Sequence, residues 1–520
     1  MQSGWLFARG WGSRLVVGIA CVTLSVSTAV ASASVGARPP PLPTVPPEVA
    51  QHGNDWPLPG RDYDNSRAVV PSAITTESVS RLQVAWSVPL PGSAGYGNAS
   101  TTPLIVGNTV YVQDLQSNVR AIDLSSGKVL WIHNYNTFEV GPDGVAVGYG
   151  RVYVQKNSQE IAALDAKTGR EIWSTRLTLT KTDGIDIQPT VVAGLVLAST
   201  TPISVRDQYK GGDRGVLWAL DARTGKRVWT FDTVQSKTLW GHPEINSGGG
   251  AWYPPAVDLK RGLVYWGIAN PAPFSGTAEF PNGSSRPGPN LYTDSLVALH
   301  LRTGKLAWFY QETPHDLFDY DFVLTAIANT PGGNLTQRVI GTGKAGHVVA
   351  LDPINGKKLI DTPVGMHQND NLKRLTSPTN VLPGEFGGVL TPPAVADGTI
   401  YVAAVNAPST YYPNKTDFFA GATLGQLPGQ IEAVDARSGR VLWDTPVDGD
   451  PLGGTLVLGD LVLTGTFQGT IIALNRSTGK IVRTMTAPGG INGWPAATHN
   501  TIVWPIGIGK SPSLVAYRLS

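Results

Sequence analysis

Cysteine is almost absent from this 520-residue chain, and its single copy, Cys21, lies near the N-terminus. One cysteine cannot form an internal disulfide, a multi-thiolate metal site or the Cys-x-x-Cys-His attachment of a haem. Cys21 is also a poor lipidation site, because Gly18 stands where a large aliphatic residue would be needed. We therefore expect a fold that depends on its hydrophobic core rather than on covalent cross-links.

A charge imbalance is missing as well. Lys and Arg number 40 and Asp and Glu number 38, so the formal net charge is only +2. Such a balance predicts no attraction to nucleic acid or to a membrane surface. The apolar run over residues 15–24 is too short to serve as a stable membrane span. We expect neither a nucleic-acid-binding protein nor an integral membrane protein.

That apolar run instead has the flanks of a secretory signal. Arg9 and Arg14 precede it, and small residues follow, offering cleavage after Ala31 or Ala33. The pattern predicts a signal peptide over residues 1–33 and a secreted, periplasmic or cell-envelope protein. Proline-rich residues 34–53 predict a semi-rigid linker, with the folded part at residues 54–520.

The chain is rich in glycine (60), proline (40) and tryptophan (15), which favours short strands and tight turns. One motif, close to Ala-x-Asp-x-x-Thr/Ser-Gly-x-x-x-Trp, recurs seven times, with Ile or Arg at the last position in two copies. The copies are residues 121–131, 163–173, 219–229, 298–308, 350–360, 433–443 and 473–483. Self-similarity at this spacing is typical of a repeat architecture.

The repeat itself predicts a small antiparallel sheet. An alternating strand precedes each copy, the Asp and Gly form a hairpin turn, and the terminal Trp can pack on the next unit. Such sheets stack radially into a β-propeller. Residues 82–86 look like a last strand without its predecessors, and residues 501–517 look like strands without a last one. Joining them predicts an all-β, eight-bladed propeller closed by the N- and C-terminal strands.

An acidic cluster marks a candidate site. Glu312, Asp316, Asp319 and Asp321 fall within ten residues and follow a strand-like run, which places them on a loop leaving a sheet. Carboxylates this close repel one another unless a metal, a cation or a shared proton accompanies them. An acidic solvated turn or a calcium staple is the alternative.

The repeat resembles the tryptophan-docking motif of the quinoprotein alcohol dehydrogenases, eight-bladed propellers that bind pyrroloquinoline quinone (PQQ). Non-enzymatic propellers, including the outer-membrane assembly lipoprotein, share that motif, so it says little about a cofactor. Residues 55–67 resemble the opening segment of the family. Residues 270–294 and 310–321 resemble its active-site blades nearly residue for residue.

The resemblance implies a role for five residues. Asp319 would be the catalytic base and a metal ligand, and Asn270 the amide ligand. Asp321 would be the additional metal ligand of lanthanide-using members. Trp252 would be the indole on which the quinone lies, and Lys344 the cation facing its reactive carbonyl. A flat tri-carboxylate needs such an aromatic floor and such donors.

The resemblance also implies the cofactors and partners. The cofactors would be PQQ with Ca²⁺ or a lanthanide, and the substrate a small or polymeric alcohol. Since the chain has no haem motif, electrons would pass to an external acceptor such as a cytochrome, or to a soluble quinone. Residues 274–289 and 408–429 are inserted loops that could shape the substrate entrance.

Two departures from the family pattern concern charge. Lys210 aligns with the first metal ligand, a glutamate in the family, ahead of the turn that contains Arg214. Lys210 and Arg214 are assigned to the cofactor, and Asp207 or Asp213 could replace the missing ligand. Asp143 stands where the family has an arginine for a quinone carboxylate.

Each residue also has a structural alternative: Trp252 a core indole, Lys344 an exposed hairpin lysine, Asn270 a turn residue and Asp319 a cap. His242, His347 and His367 show no metal-ligand spacing. At the level of function, the alternatives are a non-catalytic propeller scaffold with a degenerate site, and a propeller that binds PQQ without calcium.

Overall fold

A computed structural model describes residues 40–92, 97–139, 141–202, 211–330, 337–417 and 424–520. The predicted signal peptide, residues 1–33, lies outside the described residues. Leu42–Ser520 forms one compact unit. Its first elements are helix α1 (Pro47–Gln51), strand β1 (Ala68–Val69), a 3₁₀ turn (Val79–Arg81) and strand β2 (Leu82–Pro89). In the described part of the chain, no helix has the length and apolarity that a membrane crossing would need.

Within the described residues, eight blades of four antiparallel strands follow one another along the chain, and two of these sheets gain a short fifth strand. They confirm the predicted eight-bladed propeller. Blade 1 is β3 (Leu104–Val106), β4 (Thr109–Gln113), β5 (Val119–Asp123) and β6 (Val129–His133); blade 2 is β7 (Val145–Gly148), β8 (Arg151–Asn157), β9 (Glu160–Asp165) and β10 (Glu171–Arg176). Before blade 3 comes the short strand β11 (Asp183–Gly184), and the blade is β12 (Thr190–Val192), β13 (Leu195–Pro202), β14 (Val216–Asp221) and β15 (Arg227–Asp232).

Long connecting segments precede blade 4 and separate its second strand from its third. A 3₁₀ turn (Leu239–Gly241) and β16 (Ser247–Gly248) precede blade 4, which is β17 (Ala256–Asp258), β18 (Leu263–Gly267), β20 (Ser295–His300) and β21 (Leu306–Gln311). Strand β19 (Pro271–Ala272) lies between β18 and β20 and pairs with β16. Blade 5 is β22 (Leu324–Asn329), β23 (Gln337–Thr342), β24 (His347–Leu351) and β25 (Lys358–Pro363).

The remaining blades close the ring. Short strands β26 (Thr379–Val381) and β29 (Ser409–Tyr411) pair outside blade 6, which is β27 (Ala394–Ala396), β28 (Thr399–Val405), β30 (Gly429–Asp435) and β31 (Val441–Val447). Blade 7 is β32 (Leu456–Leu458), β33 (Leu461–Gly465), β34 (Thr470–Asn475) and β35 (Ile481–Thr486). Blade 8 is β36 (Ala496–Ala497), β37 (Thr501–Ile506) and β38 (Ser513–Leu519), with β2 pairing antiparallel to β38. The two ends of the chain thus share one blade, as the sequence predicts.

The tryptophan of each motif docks on the turn of the following blade. Trp131 Nε1 donates to the Ala166 carbonyl at 3.1 Å, and its ring lies on Gly169, where a Cβ would come within 2.6 Å of it. Gly169 therefore has two reasons to be glycine, this contact and a φ of 70°. Similar indole bonds, 2.8–3.1 Å long, are made by Trp86, Trp229, Trp308 and Trp443.

The opening segment crosses the centre of the ring. Arg67 is 1% exposed and donates to the carbonyls of Thr455 and Pro495, both at 3.0 Å. Asn65 donates to the Pro254 carbonyl at 3.1 Å and the Thr325 carbonyl at 3.0 Å. One short segment thereby bonds to blades 4, 5, 7 and 8, and it satisfies backbone groups that the converging strands leave open.

Candidate functional site

Five of the predicted site residues lie where blades 4 and 5 meet. Trp252 precedes β17, Asn270 follows β18, and Lys344 lies in the turn from β23 to β24. Asp319 and Asp321 belong to the crossover from β21 to β22, as expected for a loop leaving a sheet. Residues spread over 92 positions of the sequence are therefore presented to one region by the propeller topology.

Asp319, Lys344 and Asp321 form a buried charge cluster. Lys344 Nζ lies 2.5 Å from Asp319 Oδ2 and 2.6 Å from Asp321 Oδ2. The aspartates are 3% and 1% exposed, and the lysine side chain 17%. Lys344 is thus an internal counter-ion, which rules out the alternative of an exposed hairpin lysine. When both carboxylates are ionised, they outnumber the single ammonium and leave the cluster with an excess negative charge.

The surroundings shift the pKa values of Asp319 and Lys344. Burial raises the pKa of Asp319 well above its usual range; Lys344 acts to lower that pKa, and Asp321 and Glu385 raise it further. Burial acts to lower the pKa of Lys344, but the two carboxylates outweigh it and raise that pKa above its ordinary value. A carboxylate held this way has a high proton affinity while its cation partner stays charged.

Asn270 and Trp252 are joined to the cluster by different means. The Asn270 backbone N–H donates to Asp321 Oδ1 at 3.0 Å, and Asn270 is buried. The half-buried Trp252 packs on an apolar cluster that includes Ala269 and Val323, the neighbours of these polar positions. An amide, acids, a lysine and an indole therefore meet in one region, which the sequence predicts only through the resemblance.

The acidic loop is not a solvated turn. Asp316 is fully buried and accepts hydrogen bonds from the backbone N–H groups of Phe318 (2.7 Å) and Tyr320 (2.8 Å). Asp319 has a positive φ of 64°, an uncommon conformation for a non-glycine residue. Asp316 thus caps the loop and fixes the strained backbone that presents Asp319.

Arg286 explains another part of the motif. It is fully buried and donates to the carbonyls of Pro273 (3.0 Å) and Phe274 (2.6 Å), to Asn290 Oδ1 (2.7 Å) and to the Asp316 carbonyl. These bonds join the inserted loop to the acidic loop. The Arg-Pro-Gly-x-Asn stretch is therefore structural support for the site.

The other residues predicted to bind the cofactor or the metal have no described contact with this cluster. Arg214 forms an ion pair with Asp232 (2.6 Å), and its side chain is 39% exposed. Asp213 is buried, and its Oδ1 accepts a hydrogen bond from Thr180 at 2.8 Å. Lys210 and Asp207 lie outside the described residues. The ligand corresponding to the family glutamate is therefore not supplied by a described contact.

Asp143, the acid at the expected arginine position, is fully buried. Neither carboxylate oxygen has a hydrogen-bond partner within the described ranges. Burial, followed by Asp114, Glu139 and Asp186, raises the pKa of Asp143 well above its usual range. A neutral carboxylic acid can donate one hydrogen bond, but it cannot supply the positive charge of an arginine.

The residues around Trp252 fit a planar, polar-edged group. The Thr201 hydroxyl is buried and has no hydrogen-bond partner in the part of the chain that is described. A Cβ at Gly250 would collide with this hydroxyl and lie 3.1 Å from the Trp252 ring. Gly250, which has no side chain, therefore leaves space beside the Trp252 indole and the unsatisfied Thr201 hydroxyl. With two carboxylates and an amide nearby, the donor set also fits a hard cation.

Sequence reasoning missed two neighbours of the cluster. Glu385, 3% exposed, acts electrostatically on Asp319. Tyr253 donates to the Leu390 carbonyl at 2.5 Å and packs on Trp494, with ring centroids 5.2 Å apart. Neither belongs to a repeat or to a charge run, so only the Gly-rich context of Glu385 could have drawn attention to it.

Two protein-family profiles match this chain. The profile of the family described as "Glucose/ethanol/alcohol dehydrogenase, beta-propeller domain" matches residues 56–145 and 180–384. A second profile, "Outer membrane protein assembly factor BamB", matches residues 427–505. The first match covers more than half of the chain and contains the acidic loop, Asn270, Trp252 and Lys344.

Curated relatives and solved structures extend the match. The chain is 28% identical over 505 residues to quinohemoprotein alcohol dehydrogenase ADH IIB of Pseudomonas putida, covering 85% of this chain and 71% of that protein. It is 25% identical to the lanthanide-dependent methanol dehydrogenase of Methylorubrum extorquens, covering 83% and 82%. The crystal structure of quinohemoprotein alcohol dehydrogenase from Comamonas testosteroni gives a TM-score of 0.77 at 23% identity, covering 90% and 80%. At that identity the last likeness concerns the fold alone.

Proposed function

The chain belongs to the glucose/ethanol/alcohol dehydrogenase β-propeller family, and from this premise we propose that it is a PQQ-dependent oxidoreductase that oxidises an alcohol. The observation that carries the proposal is the Asp319–Lys344–Asp321 cluster beside Asn270. It combines a buried carboxylate, its cation and further oxygen donors in one place.

Asp319 is the general base of this proposal. Its burial and high proton affinity suit a group that accepts the hydroxyl proton as the carbon is oxidised. Asp316 positions it through the capped loop. Lys344 holds the carboxylate in place by its 2.5 Å contact and lies where it can stabilise negative charge.

Trp252 would form the floor for the quinone, with Thr201 and Arg214 as polar partners at its edge, and Lys210 as a further cation. Asn270, Asp319 and Asp321 would hold Ca²⁺ or a lanthanide through oxygen atoms. When bound, PQQ supplies the two-electron acceptor and the metal a Lewis acid. The protein residues bind, orient and take up the proton.

Export is part of the proposal. The signal pattern at residues 1–33 supports a secreted, periplasmic or cell-envelope location. Because the sequence contains no haem-attachment motif, an external acceptor such as a cytochrome would receive the electrons. Residues 274–289, tied to the acidic loop by Arg286, and residues 408–429 would border the entrance for the alcohol.

Reconstitution tests the proposal. Purified chain is mixed with PQQ and either Ca²⁺ or La³⁺, desalted, and assayed for retained quinone absorbance and for dye reduction with a panel of alcohols. We expect one quinone per chain and alcohol-dependent reduction. Asp319→Asn should retain quinone and lose about 10²- to 10⁴-fold in kcat. Asp165→Asn, in an exposed repeat turn, is the matched control and should keep full activity.

A non-catalytic scaffold is the second candidate, and one observation favours it: a buried acid, Asp143, occupies the position expected for a cation. The hypothesis of a non-catalytic scaffold predicts no retained quinone and no dye reduction with either metal. Full activity without added metal, in the presence of a chelator, would instead support quinone binding without calcium. Unchanged activity in Asp319→Asn would reject the assignment of the base.

A further inference from the structure

Two histidines and an aspartate meet next to the turn that carries Lys344. Each of His347, His367 and Asp370 offers a ligand atom, and the three atoms lie within 4.8 Å of one another. His347 begins β24, and the other two follow β25. Their side chains are 31%, 22% and 19% exposed, so an ion can reach them from solvent.

His347 is oriented as metal-binding histidines usually are. Its Nδ1 lies 2.6 Å from Asp361 Oδ1, and the second oxygen of that carboxylate accepts from Lys358 Nζ at 2.6 Å. A carboxylate on one imidazole nitrogen fixes the ring and its tautomer, and leaves Nε2 as the metal ligand. Asp361 lies on the neighbouring strand β25, so the ring is held by the sheet itself.

His367 and Asp370 are brought together by a tight turn. Asn369 has a φ of 59°, which folds the chain back so that His367 Nδ1 lies 2.5 Å from Asp370 Oδ2. Gly346 allows the approach, because a Cβ there would lie 3.2 Å from His367 Cε1. The His347 and His367 rings meet edge to face at 83°, with centroids 5.3 Å apart.

A further carboxylate lines the cavity beside this cluster. Glu312, His347 and Asp370 border a cavity of about 200 Å³. Both carboxylate oxygens of Glu312 are buried, and neither has a hydrogen-bond partner elsewhere in the described chain. Burial raises the pKa of Glu312 to about 8, and among the neighbouring charges His347 acts most strongly to lower it. A buried acid without a hydrogen-bond partner is costly when it is ionised, unless a cation lies near it.

We propose that His347, His367 and Asp370 form a binding site for a first-row transition-metal dication of the Zn²⁺ type. Imidazole and carboxylate are the ligand types that such ions prefer, whereas Ca²⁺ and lanthanides take oxygen. The ion replaces the proton between His367 and Asp370. It ties the turn that bears Lys344 to the segment after β25, and it stabilises the folded chain. The site does not depend on the proposed dehydrogenase function.

Zinc binding to the full chain tests the proposal. Chelator-treated protein is saturated with Ca²⁺ to fill oxygen-donor sites, dialysed against micromolar ZnCl₂, and analysed for metal; CoCl₂ provides a visible-absorption probe of the same site. We expect one Zn²⁺ per chain, a rise in Tm, and a Co²⁺ band with imidazole ligation. His347→Ala and His367→Ala should weaken affinity at least tenfold. Asp361→Asn should weaken it about 10- to 100-fold as a positioning residue.

Two matched controls separate this site from others. His242→Ala removes a histidine that pairs with Glu244 elsewhere (2.9 Å), and Asp319→Asn removes an acid of the Asp319–Lys344–Asp321 cluster. Both should bind zinc like the unaltered chain. Circular dichroism and thermal melting verify that each variant is folded. The proposal is overturned if no zinc binds, if the histidine variants bind as well as the unaltered chain, or if Asp319→Asn abolishes binding.

Discussion

Aspartate serves opposite purposes in two regions of this propeller. In the exposed hairpin turns, Asp123 Oδ1 accepts hydrogen bonds from Ser125 Oγ (2.6 Å) and from the Ser126 N–H (2.8 Å), which lower its pKa to about 2. In the interior, burial raises the pKa values of Asp143 and Asp319 well above the usual range. The exposed aspartates stabilise local turns through hydrogen bonds. The buried aspartates are unfavourable when ionised, and a bound proton or cation relieves that cost.

We expect the largest effect on stability from removing the buried cation, Lys344. Lys344→Met leaves Asp319 and Asp321 buried without their counter-ion, and we expect a loss of about 3–5 kcal/mol in the free energy of unfolding. Urea denaturation in the presence of a chelator measures it. Lys415→Met is the control: it breaks an exposed pair with Asp417 (2.9 Å) and should cost about 0–1 kcal/mol. Equal effects would show that the Asp319–Lys344–Asp321 cluster is solvated.

The pH dependence of stability tests the same contrast at Glu139, a buried acid away from the proposed metal ligands. Burial raises the pKa of Glu139 to about 8, although hydrogen bonds from Ser117 and Gln155 oppose the shift. Above the unfolded-state pKa of about 4.5, the unfolded chain loses this proton while the folded chain retains it, so stability falls as pH rises.

Between pH 5 and pH 8 this single group should remove about 2–4 kcal/mol of unfolding free energy. Denaturation at several pH values compares the unaltered chain with Glu139→Gln, whose stability should depend less on pH over this range. Asp123→Asn, in an exposed turn, should leave the slope of the unaltered chain. A slope that Glu139→Gln does not reduce would contradict the buried protonated acid.

The smallest effect concerns the turns themselves. Gly169→Ala forces a residue with a side chain into φ 70° and brings its Cβ within 2.6 Å of Trp131, so we expect a loss of about 2–3 kcal/mol. Gly150→Ala, in the same blade at φ 74°, meets no atom within 4 Å and should lose about 1 kcal/mol. Equal losses, measured from Tm and urea midpoints, would mean that indole docking adds nothing.

The sequence by itself determined the ring of blades. The Asp, the Gly and the Trp of each repeat interact within a hairpin or with the next turn, so their spacing along the chain is sufficient to predict them. The shared eighth blade was also predictable, because a lone Trp-bearing strand at residues 82–86 and an incomplete set at residues 501–517 complement each other.

Only the tertiary structure decided the electrostatics. The pairing of Lys344 with two aspartates, the burial of Asp143 and the contact of Arg214 with Asp232 depend on which atoms exclude water, and no spacing encodes that. The same holds for His347 and His367, whose separation of 20 residues shows no ligand pattern until a hairpin and a tight turn bring them together. Short-range geometry is carried by the order of residues, but desolvation and long-range charge contacts exist only once the chain has folded.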